Sequence, residues 1–191
     1  FVWAKSMTGT GGSSTGMAIA VDASGNVYTT GWFNTSTVDF NPGVPVYTLT
    51  SNGLEDIYVS KLDASGNFVW AKSFGSTGAE YVYDLKLDGS NNVIVTGEFR
   101  NTCDFDPGAS VTNLTSAGGA DIFINKLDAA GNFVWANSIG DAPNEQSRSV
   151  CVDASGNVFF TGSFSGTVDF DPSVSTYTLS SGPVGSSSYF I

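Results

Sequence analysis

Phe1-Val-Trp-Ala-Lys-Ser returns as Phe68-Val-Trp-Ala-Lys-Ser and again as Phe133-Val-Trp-Ala-Asn-Ser, at offsets of 67 and 65 residues. Three other stretches keep the same register. Val21-Asp-Ala-Ser-Gly-Asn-Val is matched by Leu87-Asp-Gly-Ser-Asn-Asn-Val and Val152-Asp-Ala-Ser-Gly-Asn-Val. Asp39-Phe-Asn-Pro-Gly is matched by Asp104-Phe-Asp-Pro-Gly and Asp169-Phe-Asp-Pro-Ser. Asp56-Ile-Tyr-Val is matched by Asp121-Ile-Phe-Ile and, more loosely, by Ser188-Tyr-Phe-Ile. A chain of 191 residues built this way stacks copies of one unit, and each copy buries a face that its neighbour leaves open.

Within the unit the apolar spacing is that of strands. Met17-Ala-Ile-Ala-Val alternates, with Ile19 and Val21 on one face and Ala18 and Ala20 on the other. Asp22-Ala-Ser-Gly-Asn26 follows as a turn: Asp and Asn bond their own backbone, and Gly supplies a positive φ. The second strand runs from Val27 to Phe33 and the third from Ile57 to Leu62. The turn Asp63-Ala-Ser-Gly-Asn67 then leads to the fourth strand, Phe68 to Phe74. Between the second and third strands, Val38-Asp-Phe-Asn-Pro and Val46-Tyr-Thr-Leu form an extra hairpin or a packed loop. β-branched and aromatic residues fill the strand segments, and no segment sustains a 3.6-residue apolar period. The expected fold class is therefore all-β.

Three tandem four-stranded antiparallel repeats of about 65 residues read as β-propeller blades. The whole of 1–191 is one propeller-repeat region. Residues 1–7 are the last strand of a preceding or closing blade, 8–74 the first blade, 75–139 the second and 140–191 an incomplete third. Trp3, Trp70 and Trp135 recur at one repeat position and are expected to pack between blades. Closed propellers have about four to eight blades. These blades are thus expected to belong to a larger propeller, completed by more blades of the same chain or by self-association.

The pattern Ala-Ile-Ala-Val-Asp-x-x-Gly-Asn-Val-Tyr, followed by Lys-Leu-Asp-x-x-Gly-Asn-Phe-Val-Trp, resembles the β-propeller repeat of bacterial secreted and surface proteins, whose blades are NHL-like. The Asp-Phe-Asp-Pro-Gly insertion resembles the Bacteroidetes version, which often precedes a sorting signal for type IX secretion. The resemblance implies a propeller and export, hence an extracellular or cell-surface location. It assigns no ligand.

Composition narrows the partners. Charged residues make up 13% of the chain, about half the usual share, and the net charge is −11. An acidic surface repels phosphate backbones and anionic lipid, so no nucleic-acid partner is expected. No run of 18 apolar residues occurs, so no membrane span is expected. Histidine is absent, which removes Ser–His, Cys–His and His–metal chemistry from this segment. The two cysteines, Cys103 and Cys151, lack CxxC spacing and occupy ordinary strand positions, with a disulfide between them left open.

The acidic turn residues pose two questions. Asp22, Asp63, Asp88, Asp128 and Asp153 each open an Asp-x-x-x-Asn turn, and five copies in five turns read as structural. Asp104 with Asp106, followed by Asp121, could hold Ca²⁺ through carboxylates on one side of an extended chain. The equivalents are Asp39, Asn41 and Asp56, then Asp169 and Asp171. The competing reading is an Asx turn before Pro. No cofactor is required, and calcium is the one candidate.

Glu80, Asp84, Glu98, Asp141 and Glu145 depart from the repeat, but nothing around them composes a catalytic set, and no enzyme activity is expected. Trp32, Tyr81 and Tyr83 also depart from their repeat equivalents and are the candidate ligand-binding residues. The expected function is that of a non-catalytic structural or interaction module of a secreted or cell-surface bacterial protein, serving adhesion, spacing or protein–protein contact. The partner is then a protein or glycan at the cell surface. The alternatives are a carbohydrate-binding propeller module and an accessory region of a secreted hydrolase.

Overall fold

Five short turns fix the strand register. In the computed structural model, which describes residues 1–34, 37–141, 144–183 and 186–191, Asp22 Oδ1 accepts from the amides of Ser24 (2.9 Å) and Asn26 (3.0 Å). Asn26 Nδ2 donates to Asp22 Oδ2 at 2.8 Å. The same three bonds recur at Asp63, Asp88, Asp128 and Asp153. These carboxylates cap their own turns, as the sequence predicts, and Asp88 also pairs with Lys126.

The first repeat contains β1 (Thr8–Thr10), β2 (Ser14–Val21), β3 (Val27–Asn34), β4 (Thr37–Asp39), β5 (Thr48–Thr50), β6 (Glu55–Leu62) and β7 (Phe68–Phe74). The second contains β8 (Tyr81–Leu87), β9 (Val93–Phe99), β10 (Thr102–Asp104), β11 (Asn113–Thr115), β12 (Asp121–Leu127) and β13 (Phe133–Ile139). The third contains β14 (Gln146–Val152), β15 (Val158–Ser165), β16 (Thr167–Asp169), β17 (Thr178–Ser180) and β18 (Ser187–Phe190). The main sheets are antiparallel meanders in the orders β2-β3-β6-β7, β8-β9-β12-β13 and β14-β15-β18. This is the arrangement of propeller blades. The innermost strands β2, β8 and β14 lie beside one another.

The connection between second and third strands is a hairpin in every repeat: β4–β5, β10–β11 and β16–β17. Residues 1–7, expected as the last strand of a preceding or closing blade, pair with no strand among the described residues. β1 instead adds to the β4–β5 hairpin, as the Gly75–Asp104 bridge does one repeat later.

Apolar cores lie between neighbouring sheets. Tyr28, Ile57, Val59 and Phe74 of the first blade pack with Val82, Leu85, Val95, Phe105 and Phe123 of the second. Ile94, Ile122, Ile124 and Ile139 of the second meet Val150, Phe164 and Phe190 of the third. Trp70 packs against the first of these cores and Trp135 against the second. Each fully buried side chain of this size contributes roughly 1.5–3 kcal/mol. β9 is buried at all seven positions because the middle blade is covered on both faces. On the outer faces, Ile19 and Val21 of β2 and Phe159 and Tyr189 of the third blade are exposed.

Candidate functional site

The Asp-Phe-Asp-Pro-Gly segments are tandem Asx turns that close the β4–β5, β10–β11 and β16–β17 hairpins. Asp39 Oδ1 accepts from the amides of Asn41 (3.0 Å) and Tyr47 (2.9 Å). Asp104 Oδ1 does the same with Asp106 (3.1 Å) and Thr112 (2.8 Å), and Asp169 Oδ1 with Asp171 (3.0 Å) and Tyr177 (2.7 Å). One oxygen thus pins both ends of the loop. The next residue caps in series: Asn41, Asp106 and Asp171 accept from the amides of Gly43, Gly108 and Ser173. Hydrogen bonds from Ser173 hold the Asp171 carboxyl below the usual carboxylate range. Phe40 and Phe105, which separate the two acceptors, are buried. Among the described residues, no three Asp, Glu, Cys or His side chains gather into a group that could hold a metal ion. Asp104, Asp106 and Asp121 are accordingly not gathered into one ligand set.

Asp56 and Asp121 serve elsewhere. They lie at the starts of β6 and β12 and face the linker to the next blade. Asp56 Oδ2 accepts from the Asn52 amide and Asp121 Oδ2 from the Ala117 amide, both at 2.9 Å. Their carboxyl groups press on Gly75 and Gly140, leaving no room for a Cβ at either position. In the same linkers, Glu80 accepts from the Ser76 amide (2.9 Å) and hydroxyl (2.6 Å), and Glu145 from the Asp141 amide (3.0 Å). All four acids are buried. Burial pushes Asp56 up to about 6, and pushes Glu80 and Glu145 up to about 7. Asp121 is raised for the same reason.

The sequence reading set Glu80 and Glu145 outside the repeat, but strand pairing makes them equivalents. Each directly precedes the residue that opens the first strand of its blade, Tyr81 opposite Glu98 and Gln146 opposite Ser163. In the third blade Ser188, opposite Phe164, stands where Asp56 faces Phe33 and Asp121 faces Phe99. Its hydroxyl donates to the Ser181 carbonyl at 3.0 Å.

The candidate ligand-binding residues converge. Trp32 on β3 meets Tyr81 on β8 edge to face, with ring centroids 6.0 Å apart. β8 bulges between Val82 and Asp84, and Tyr83 is the extra residue. The bulge brings the Tyr81 carbonyl onto Gly97, where a Cβ has no space. The Arg148 guanidinium lies over the Tyr83 ring, 5.1 Å from its centroid, and also donates to Gln146 Oε1 at 2.6 Å. Asp84 fixes this overlap by accepting from the Ser149 hydroxyl (2.7 Å) and the Val150 amide (3.0 Å). Burial and the neighbouring Glu98 carboxylate push the Tyr83 phenol up to about 12.

The result is a half-buried aromatic cluster spanning three sheets, edged by Glu98 and Arg148. Sequence reasoning missed Arg148. The signal for it lay in the bulge position, which carries Met17, Tyr83 and Arg148 in the three repeats. Its occupant differs in each of the three repeats.

No protein-family model matches the chain. Over 199 residues it is 26% identical to an uncharacterized WD repeat-containing protein of Acanthamoeba polyphaga mimivirus. The match covers 92% of this chain, which spans 14% of that relative's length. Together with the antiparallel meanders, the likeness points to a repeat of the β-propeller type.

Proposed function

We propose that the chain is a non-catalytic interaction module: a run of propeller blades, in a secreted or cell-surface bacterial protein, that offers the Trp32–Tyr81–Tyr83–Arg148 cluster to a protein partner. The observation that carries this reading is that all four residues depart from their repeat equivalents and yet meet on one surface. A repeat scaffold is regular where packing demands it, and departures that converge mark a site placed on it. Trp, Tyr and Arg are also the residues that dominate binding energy at protein interfaces. The WD-repeat relative supports an interaction role rather than a chemical one. Adhesion and spacing are the tasks that fit a rigid array of this kind.

The test is retention of partners from cell-surface extracts of the source organism on immobilised protein. Trp32→Ala combined with Tyr83→Ala should weaken the specific partner by roughly 10- to 30-fold while leaving the circular dichroism unchanged. Equal retention by both proteins refutes the reading. A glycan array run in parallel decides for carbohydrate recognition instead, since the Trp32 and Tyr81 rings beside Glu98 also suit sugar stacking.

The module needs no cofactor in this reading. Calcium at Asp39, Asn41, Asp104, Asp106, Asp169 and Asp171 is tested by calorimetric titration, where the absence of heat at millimolar calcium removes it. The exposed apolar faces at Ile19 and Val21 and at Phe159 and Tyr189 are equivalent to faces buried between blades. They suit further blades of the same type, from a longer chain or from a second copy.

A further inference from the structure

Two buried carboxyl pairs are unused by the interaction surface, and they occupy equivalent places at the two blade junctions. Asp56 and Glu80 join the first blade to the second, and Asp121 and Glu145 join the second to the third. The four side chains are at most 2% exposed. The junction is tightly laced: the Glu80 amide donates to the Glu55 carbonyl and the Glu145 amide to the Ala120 carbonyl, both at 2.8 Å. Leu54 donates to the Gly78 carbonyl, and Ala120 to Asn144 Oδ1.

The charge balance at these junctions is one-sided. Glu55 on β6 and Cys103 on β10 lie near the Asp56–Glu80 pair. Asp141 lies near Asp121 and Glu145. The three ion pairs of the described residues, Asp84–Lys86, Glu98–Arg100 and Asp88–Lys126, involve none of the four acids. Asp56 Oδ1, Asp121 Oδ1 and Glu145 Oε1 are buried without a hydrogen-bond partner. Two ionised carboxylates buried side by side without a cation are strongly unfavourable, and a proton held by one of them removes the repulsion. The crowding against Gly75 and Gly140 favours a proton over a hydrated metal ion, because a proton needs no space.

We propose that each carboxyl pair holds a proton and so forms a pH-sensitive clamp between blades, closed in mildly acidic surroundings and loosened at neutral and higher pH. The raised affinities of Asp56, Glu80, Asp121 and Glu145 for protons agree with this. Such a group favours the folded state fully below its ordinary value, 3.8 for Asp and 4.5 for Glu. The advantage is lost as pH rises through the folded values of about 6 and about 7. The chain contains no histidine, so no other side chain ordinarily titrates in that window.

The test is chemical denaturation of the whole chain from pH 5 to 8 in EDTA. The unfolding constant should rise roughly tenfold per pH unit for each held proton between pH 5 and 7, and level off above. Glu80→Gln with Glu145→Gln keeps the acceptors for Ser76 and Asp141 and should flatten the profile, leaving the protein more stable than wild type at pH 8. Infrared spectroscopy should show a protonated carboxyl band that titrates between pH 6 and 7 in the wild type and is missing from the variant. If the variant does not fold, amide exchange of the wild type decides. The Glu80 and Glu145 amides should lose protection between pH 6 and pH 8, beyond the intrinsic base catalysis. A flat wild-type profile, an unchanged slope in the variant, or protection independent of pH overturns the proposal. So does calcium restoring stability at pH 8, which would assign the pairs to a metal.

Discussion

Trp70 Nε1 donates to the Ala129 carbonyl at 3.2 Å, so the outermost strand of the first blade holds the last turn of the second. Trp3 does the same to Ala64 at 3.1 Å. Beneath the Trp70 ring lies Gly131, where a Cβ would come within 3.1 Å of the indole. Trp70→Phe keeps most of the ring packing and loses the bond. It should cost about 1 kcal/mol, whereas Trp70→Ala should cost more, though less than the ~3–5 kcal/mol of a fully buried ring, because Trp70 is only partly buried. Urea denaturation midpoints check both, and a Trp70→Phe midpoint equal to wild type would mean that the bond contributes nothing.

The Asp-Phe-Asp-Pro-Gly hairpins predict a graded series. Asp104→Ala removes the acceptor of two amides, at a cost of about 1–3 kcal/mol. Phe105→Ala opens a cavity in the core between the first two blades and should cost about 3–5 kcal/mol. Phe170→Ala should cost clearly less, because Phe170 is only partly buried. The same denaturation assay ranks the three.

Asp88 contributes to the acid limb of stability, together with the other aspartates whose carboxyls are held low. Burial opposes the charge of Asp88, but the Lys126 ammonium at 2.8 Å and the donors on Asn92 and Ser90 outweigh it and hold the carboxyl down at about 2. A lowered value contributes stability that is complete above the ordinary 3.8 and is lost as pH falls through about 2. Asp88→Asn should therefore be less stable than wild type at pH 5, and the two should converge by pH 2. A constant difference across that range would exclude the ion pair as the cause.

Cys103 is buried and Cys151 exposed, and both are free thiols. Burial pushes the Cys103 thiol up, further suppressing its reactive thiolate. A thiol reagent should label one cysteine per native chain at Cys151 and two in denaturant. Protection of both in native protein that has not been reduced would indicate pairing with another thiol.

Much of the fold is legible along the chain, because the repeat fixes register. The fourth strand Phe68–Phe74 and the Asp63 turn fall where the alternation and the Asp–Asn pair put them. The site was harder to read, for two physical reasons. A bulge takes its extra residue out of the strand alternation, so the repeat register aligns Met17, Tyr83 and Arg148 without showing what their side chains meet. Contacts that cross a linker also pair the end of one unit with the start of the next. Asp56 lies 17 residues from Asp39 in its own repeat, yet it packs on Gly75 in the following linker. Reading each unit in isolation therefore assigned Asp56 to the wrong neighbours, and left Glu80 and Glu145 as two unrelated exceptions.

The carboxylate of every described junction comes from one repeat, and the glycine and glutamate it meets come from the next. An in-frame duplication or loss of one repeat length, through recombination between the matching segments, would carry both halves of a junction together. Genetic drift in blade number can then proceed without the invention of a new contact, and the number of blades becomes a quantity that lineages are free to vary while each joint is inherited whole.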